Sequence, residues 1–150
     1  MQEFMVRMAK LDDLKQVAVL FNEYRKFYEQ PHDLDLAESF IQSRLTEHDS
    51  VILIATDHAQ KTVGFCQLYP SLCSVIAAPI YVLYDLFVEA NARKSGAGKL
   101  LMLAAHQHAK DHGFSRLDLS TAKTNLAAQS LYESLGWKRD EEFYTYNKVI

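Results

Sequence analysis

Apolar residues recur along the chain with two periods, and these periods predict its first helices and strands. Apolar residues spaced three and four apart indicate an amphipathic helix. Strands are indicated by runs of β-branched residues, alternating or continuous, that polar turns bound. The two strands that follow the helices are joined by a short polar turn and form a hairpin. The pattern predicts helices over 14–28 and 36–45, and strands over 5–9, 51–55 and 62–69.

The most apolar segment of the chain lies further on, after a stretch over 70–79 that is expected to be irregular. Only Asp85 is charged among residues 80–88, so this segment is the candidate central strand. A short loop then leads into 94–99, which contain two glycines, and into a strong helix sequence that closes near Gly113. Strand, glycine loop and helix therefore follow one another directly.

Two further strands and one helix are predicted in the last third. Alternation indicates a strand over 116–120, and Thr124 or Asn125 can cap the helix that follows it. Aromatic and β-branched residues over 143–149 predict a final strand. The element order β-α-α-β-β-β-α-β-α-β, without repeats or linkers, predicts a single layered α/β domain over 1–150.

Charge and composition exclude several classes of partner. The 150 residues carry 16 Lys and Arg against 19 Asp and Glu, a formal net charge of -3. This balance gives no general attraction for nucleic acid or an anionic membrane, so neither is an expected partner. No run approaches the ~20 apolar residues of a membrane span, and we expect a cytoplasmic protein. The histidines after the glycine loop lack the Glu of an H-E-x-x-H zinc motif, so no metal is expected.

The glycine loop is a candidate anion site, because free backbone N–H groups and a helix N-terminus favour bound phosphate. It is not a P-loop: Arg93 stands where the first glycine should be, and Leu100 follows Lys99 instead of a hydroxyl residue. It is not a dinucleotide fingerprint either, because Leu101 occupies the third glycine position. The sequence that remains is R-x-x-G-x-G, over 93–98.

Two motifs together carry a family resemblance. Residues 93–98 read R-x-x-G-x-G between a strand and a helix, and residues 125–137 read N-x-x-A-x-x-x-Y-x-x-x-G-W. With this element order, the chain resembles the GCN5-related N-acetyltransferase (GNAT) superfamily. The resemblance implies one N-acetyltransferase domain with a mixed, mostly antiparallel central sheet and helices on both faces. It also implies acetyl-CoA as co-substrate.

The resemblance assigns candidate residues to acetyl-CoA. The pantetheine arm would bond to the end of the central strand, where the Val88 N–H would polarise the thioester carbonyl, and the pyrophosphate would lie on the glycine loop. Arg93, with Lys94 or Lys99, would add charge-assisted contacts. The candidate cofactor-binding residues are Leu86, Phe87, Val88, Arg93, Lys94, Ser95, Gly96, Ala97, Gly98, Lys99, Asn125 and Ala128.

The same resemblance implies catalytic roles. Tyr132 is the candidate acid for the departing thiolate, and Asp85, directly or through water, is the candidate base unless no single residue serves. Residues 85–88 are similar to the D-[LF]-[FY]-V of the histone and polyamine (diamine) acetyltransferase branch. The diamine enzymes carry a glutamate where this chain has Tyr84. The candidate residues for the acceptor are Tyr28, Tyr84 and Asp85.

These residues predict transfer of an acetyl group to a primary amine of a small molecule such as a polyamine or an amino acid. Two alternatives remain: a protein lysine or N-terminal acetyltransferase, and an acyl-CoA-binding module without catalysis. Retention of Tyr132, Asn125 and Asp85 argues against the second, because binding alone needs no acid. The resemblance also implies a homodimer, with 143–146 as a candidate pairing edge.

Overall fold

A computed structural model describes residues 3–150, in which the chain forms two compact units that divide after Leu119. The first unit contains the sheet and three helices, and the second, Ser120–Ile150, contains one helix. The elements described are β1 (Met5–Met8), α1 (Leu14–Phe27), α2 (Leu34–Glu47), β2 (Val51–Thr56), β3 (Thr62–Cys73), β4 (Ala78–Val88), α3 (Ala97–Asp111), β5 (Leu117–Asp118) and α4 (Leu126–Ser134).

The strands form one sheet in the order β1-β2-β3-β4-β5. The first three pairings are antiparallel, and β4 pairs with β5 in parallel. The predicted mixed, mostly antiparallel sheet is thereby confirmed. β5 has only two residues, whereas the alternation predicted five over 116–120, because its pairing with β4 covers only that length.

Helices pack on both faces of this sheet, as predicted. Successive side chains of a strand point to opposite faces, so Phe65 and Cys66 face different helices. Cys66 faces α3, with its Sγ 4.0 Å from the carbonyl oxygen of Leu101. Phe65 belongs to the core beneath α1 and α2, whose buried residues are Val17, Leu20, Phe21, Ala37, Ile41, Ile52, Ile54 and Phe65.

The expectation of an irregular stretch over 70–79 is wrong, because most of it extends the β3–β4 hairpin. Pro70 pairs with Tyr81, and the Tyr81 N–H donates to Arg116 in the opposite direction, away from β3. In such a pair neither N–H points at the partner strand, so Pro70 loses no bond within the hairpin. Pro79, two residues before Tyr81, has the same orientation. Both prolines therefore stand at positions where an N–H group would point away from the partner strand of the hairpin.

A β-bulge at Tyr84 interrupts the regular pairing of β3 with β4. Gln67 pairs with Asp85 and Leu68 with Leu83, which leaves Tyr84 without an opposite residue. A bulge adds one residue to one strand and so reverses the alternation of faces beyond it. Tyr81, before the bulge, contacts His108 of α3, whereas Asp85, after it, lies on the face covered by α1.

The second unit confirms the predicted helix but not the final strand. Asn125 is the N-cap of α4, with its side chain accepting a 3.2 Å hydrogen bond from the Ala128 N–H. Residues 143–149, predicted as a strand, have no regular secondary structure, and Phe143 and Tyr144 are exposed. Aromatic and β-branched residues favour a strand only where a neighbouring strand can pair with them. The prediction was wrong because it rested on composition alone.

Candidate active site

The end of β4 presents backbone groups that no strand of the first unit covers, among the residues that the structure describes. β5 pairs only with Tyr81 and Val82, while β4 continues to Val88. The Glu89 N–H donates to the Val63 carbonyl, and this bond fixes the alternation of the antiparallel ladder. By that alternation the N–H and C=O groups of Leu86 and Val88 point away from β3, toward the side on which β5 has ended.

Gly64 brings β3 unusually close to this end of β4. It pairs with Val88, and a Cβ at Gly64 would lie 3.0 Å from the Phe87 carbonyl oxygen and 3.1 Å from Val88 Cγ2. The same Cβ would lie 3.4 Å from Leu101 Cδ1 of α3. The absence of a side chain at Gly64 therefore sets the position of Val88.

The glycine loop forms a backbone concavity at the start of α3. Lys94 and Gly96 have φ values of 61° and 95°, and Gly96 is the residue that precedes the helix. Left-handed residues next to a helix N-terminus turn successive N–H groups toward one point, the arrangement that binds anions. Leu100 already donates to the Gly96 carbonyl, so the N–H groups available for an anion belong to the residues before it.

Arg93 connects this loop to β4. Its Nε donates a 2.9 Å hydrogen bond to the Val88 carbonyl oxygen, and its guanidinium lies 5.3 Å from the centre of the Phe87 ring. Arg93, Lys94 and Lys99 are all exposed. The structure thus brings the predicted loop residues and the predicted strand end together through Arg93.

Asp85 is a buried carboxylate with neutral partners. It is 4% exposed, and its Oδ2 accepts a 2.7 Å hydrogen bond from Gln67 Nε2. Gln67 Oε1 in turn accepts a 2.7 Å bond from the Ser50 hydroxyl. Burial raises the pKa of Asp85 above its ordinary value, and the hydrogen bond from Gln67 and the nearby Tyr24 hydroxyl oppose this rise only in part.

Tyrosines from three elements form a connected group beside Asp85. Tyr24 of α1 donates a 3.2 Å hydrogen bond to the Tyr84 carbonyl oxygen, and its ring centre lies 5.1 Å from that of Tyr28. Tyr69 of β3 makes an edge-to-face contact with Tyr84 at 5.7 Å. Tyr28 and Tyr84 are exposed, and Tyr24 and Tyr69 are half-buried. The predicted acceptor residues Tyr28, Tyr84 and Asp85 therefore belong to one group of side chains.

The remaining predicted residues lie in the second unit. Asn125 and Ala128 form the cap of α4, and Tyr132 follows one turn later, with its ring centre 6.2 Å from that of Trp137. Gly136 has a φ of 90° and follows the end of this helix. The residues of the second motif thus define the start, length and end of α4.

Comparison with known proteins assigns the family. Residues 17–137 match the model of the Acetyltransferase (GNAT) family. An uncharacterized N-acetyltransferase of Bacillus subtilis (strain 168), YhfO, is 46% identical over 141 residues, 94% of each chain. The crystal structure of a probable acetyltransferase superposes with a TM-score of 0.91 at 35% identity, over 97% of each chain. The chain belongs to the GNAT family.

As a GNAT member, this protein is an N-acetyltransferase, and acetyl-CoA is the co-substrate of its family. Another similar protein is the L-ornithine N5-acetyltransferase NATA1 of Arabidopsis thaliana. It is 30% identical over 73 residues, which are 49% of this chain and 32% of that protein.

The first unit fits acetyl-CoA in two respects. The left-handed loop before α3 suits a pyrophosphate, and the N–H and C=O groups of Leu86 and the N–H of Val88, which β5 does not cover, suit the amide groups of a pantetheine arm. Within residues 3–150 there is no group of three or more His, Cys, Asp or Glu arranged to hold a metal ion. No helix in that same range is long and apolar enough to cross a bilayer.

Sequence reasoning missed three residues of this site. Gln67 and Ser50, which hold Asp85, lie in or beside strands where one polar residue carries no periodic signal. The third residue, Gly64, is a glycine within a predicted strand. Such a glycine often indicates that another backbone segment approaches closely, and this is the signal by which the sequence could have predicted its role.

Proposed function

We propose that this protein transfers the acetyl group of acetyl-CoA to a primary amine of a small molecule by direct attack of the amine. In this proposal residues 1–150 form one N-acetyltransferase domain. The observation that carries it is the proximity of the uncovered end of β4 to the buried carboxylate of Asp85, three residues away on the same strand. The similarity to an L-ornithine N5-acetyltransferase supports a small amine as acceptor.

Acetyl-CoA supplies a thioester that an uncharged amine attacks. The N–H groups of residues 94–99 hold its pyrophosphate, and Arg93, Lys94 and Lys99 supply positive charge. Leu86, Phe87 and Val88 hold the pantetheine arm, assisted by Asn125 and Ala128. The Val88 N–H donates to the carbonyl oxygen, where negative charge develops as the amine attacks.

Asp85 removes the proton from the acceptor, directly or through water. An alkylammonium has a pKa of ~10.4, so its neutralisation at pH 7 costs about 4–5 kcal/mol without assistance. Burial raises the pKa of Asp85, and a carboxylate with a raised pKa is a stronger base than an exposed one. Gln67 keeps this carboxylate oriented.

Tyr132 donates a proton to the departing thiolate, a role assigned by its position in the second motif. Tyr132→Phe removes the proton and keeps the ring, so we expect turnover to fall at least ~10-fold while acetyl-CoA affinity stays within about two-fold. The measurements are release of the CoA thiol and calorimetric titration with acetyl-CoA. Tyr146→Phe, at an exposed tyrosine of the same unit, is the matched control.

The assay separates this proposal from its two alternatives. Acetyl-CoA is supplied with polyamines, amino acids, aminoglycosides and basic peptides. Saturable acetyl-CoA binding without CoA release on any amine would favour a binding module. Release on peptides alone would favour a protein acetyltransferase. Unchanged turnover in Tyr132→Phe would remove Tyr132 from the mechanism.

The proposed enzyme is cytoplasmic and forms a homodimer. A cytoplasmic enzyme agrees with the composition of the chain. A homodimer follows from the family resemblance and agrees with the exposed aromatic residues Phe143, Tyr144 and Tyr146. Light scattering on the purified protein, which gives a mass in solution, tests the dimer directly.

A further inference from the structure

Four tyrosines lie together on the face of the sheet covered by α1. We call Tyr24, Tyr28, Tyr69 and Tyr84 the tyrosine cluster. Ring contacts join Tyr24 to Tyr28 and Tyr69 to Tyr84, and the Tyr24 hydroxyl reaches the Tyr84 carbonyl oxygen. Two of the four are exposed, so part of the cluster is open to a ligand.

Asp85 lies beneath this cluster without a cation to balance it. In residues 3–150 the structure shows no ion pair for Asp85, and both its hydrogen-bond partner Gln67 and the nearby Tyr24 hydroxyl are neutral. Buried carboxylates in proteins are almost always paired, because an isolated charge in a low-dielectric site is costly. The described residues keep a desolvated acid beside the tyrosine cluster and place no Lys or Arg against it.

This combination is complementary to an organic cation. The faces of aromatic rings attract ammonium groups within about 6 Å, and a carboxylate adds a direct ionic contact. Rings also cover an apolar body attached to the ammonium. We propose that the tyrosine cluster and Asp85 bind the acceptor as an alkylammonium with one positive charge and an apolar or aromatic body. This inference rests on the proposed function and names its substrate class.

The other carboxylates near the cluster argue against a polyamine. Asp49, which acts electrostatically on Tyr69, is held by Arg44 at 2.7 Å, and Glu23 is held by Lys26 at 3.2 Å. Glu29 follows Tyr28 at the exposed end of α1, where water screens its charge. A second ammonium group would therefore find no buried, unpaired carboxylate, and its desolvation would weaken binding.

The cluster also leads toward the position where acetyl transfer is proposed. Tyr24 contacts Phe87 with ring centres 6.1 Å apart, and Phe87 directly precedes Val88. Asp85 and Val88 are three residues apart on an extended strand, a span of roughly 10 Å. This distance has room for the Asp85 carboxylate, the amine of the acceptor and the acetyl group, placed one after another.

Benzyltrimethylammonium tests the site without chemistry, because its nitrogen carries no hydrogen and cannot be acetylated. Calorimetric titration of the full chain should show saturable binding. Asp85→Asn should weaken this binding at least ten-fold and Tyr84→Leu at least five-fold, while Tyr146→Leu should leave it unchanged. Tyr84 is exposed, so its replacement should not disturb folding. Absence of binding, or equal binding by the wild type and Asp85→Asn, would overturn the inference.

Acetylation rates test the substrate class. We expect kcat/KM for phenethylamine to exceed that for spermidine at least ten-fold, and Tyr84→Leu to reduce this ratio at least five-fold. Rapid acetylation of spermidine with no binding of the probe would overturn the inference and leave the proposed function intact. Probe binding without CoA release on any amine would support the cation site and count against acetyl transfer.

Discussion

Gly64→Ala tests whether the position of Val88 controls turnover. The added Cβ meets two atoms of β4, the Phe87 carbonyl oxygen at 3.0 Å and Val88 Cγ2 at 3.1 Å. The first of these is a backbone atom, which cannot rotate away as a flexible side chain would. The strands must separate by a few tenths of an ångström. Overpacking of this kind costs about 1–3 kcal/mol, and the lower entropy of the unfolded alanine chain offsets about 0.4–1 kcal/mol of it.

The same displacement should reduce catalysis. A misplacement of 1 Å in an active site can reduce the rate about 100-fold, so a shift of a few tenths of an ångström should lower kcat roughly three- to five-fold. The net loss of stability, at most about 2.6 kcal/mol, should lower Tm by up to about 10 °C, at roughly 2–4 °C per kcal/mol. Steady-state release of the CoA thiol and thermal unfolding measure the two effects. KM for the amine should stay within about two-fold, because Tyr84 and Asp85 keep their contacts.

Gly113→Ala is the matched control for this experiment. Gly113 has a φ of 76° and no atom within 4 Å of an added Cβ, so alanine there is strained but meets nothing. Its cost is about 1–2 kcal/mol, similar to that of Gly64→Ala, and kcat should not change. Unchanged kcat in Gly64→Ala would refute the role given to Val88. An equal loss of kcat in both variants would show that turnover merely follows stability.

Two further predictions concern the candidate base Asp85 and the glycine loop. Asp85→Asn should raise Tm by a few degrees at pH 7, about 1 kcal/mol, because asparagine still accepts the bond from Gln67 without a buried charge. Since the folded pKa of Asp85 is raised, this advantage should vanish as pH falls toward the ordinary value for aspartate, and a lower Tm at pH 7 would contradict it. Gly96→Val forces a β-branched residue into a φ of 95°, so calorimetry should show acetyl-CoA affinity at least ten-fold lower, whereas Gly113→Val should retain it.

The elements and the loop could be predicted from the sequence because their signals are local. The period of 3.6 residues located α1 and α2, strong helix-forming residues before Gly113 located α3, and the two motifs located the turn before α3 and the cap of α4. The Asn125 cap is such a case, since a side chain that bonds three residues ahead acts within its own segment.

Features that depend on pairing between distant segments could not be predicted. Most of the proline-containing stretch 70–79 is extended because its N–H positions match the hairpin register, and 143–149 is not a strand although its residues favour one. Gln67 and Ser50 reach Asp85 only through the pairing of β3 with its neighbours. Register is a long-range property that composition and periodicity do not encode.

The bulge at Tyr84 links the candidate base to the candidate N–H donor. Tyr81 faces α3 and its N–H points away from β3, so uninterrupted alternation would give Asp85 the same orientation and bury its carboxyl beneath α3. One extra residue turns Asp85 toward the tyrosine cluster. The same residue also exchanges the directions of the backbone groups, so that Val88, not Phe87, presents its N–H where β5 has ended. A base on one face and a donor at the strand edge are thus consequences of a single insertion, and this explains why Tyr84, whose ring is exposed, occupies the centre of the site.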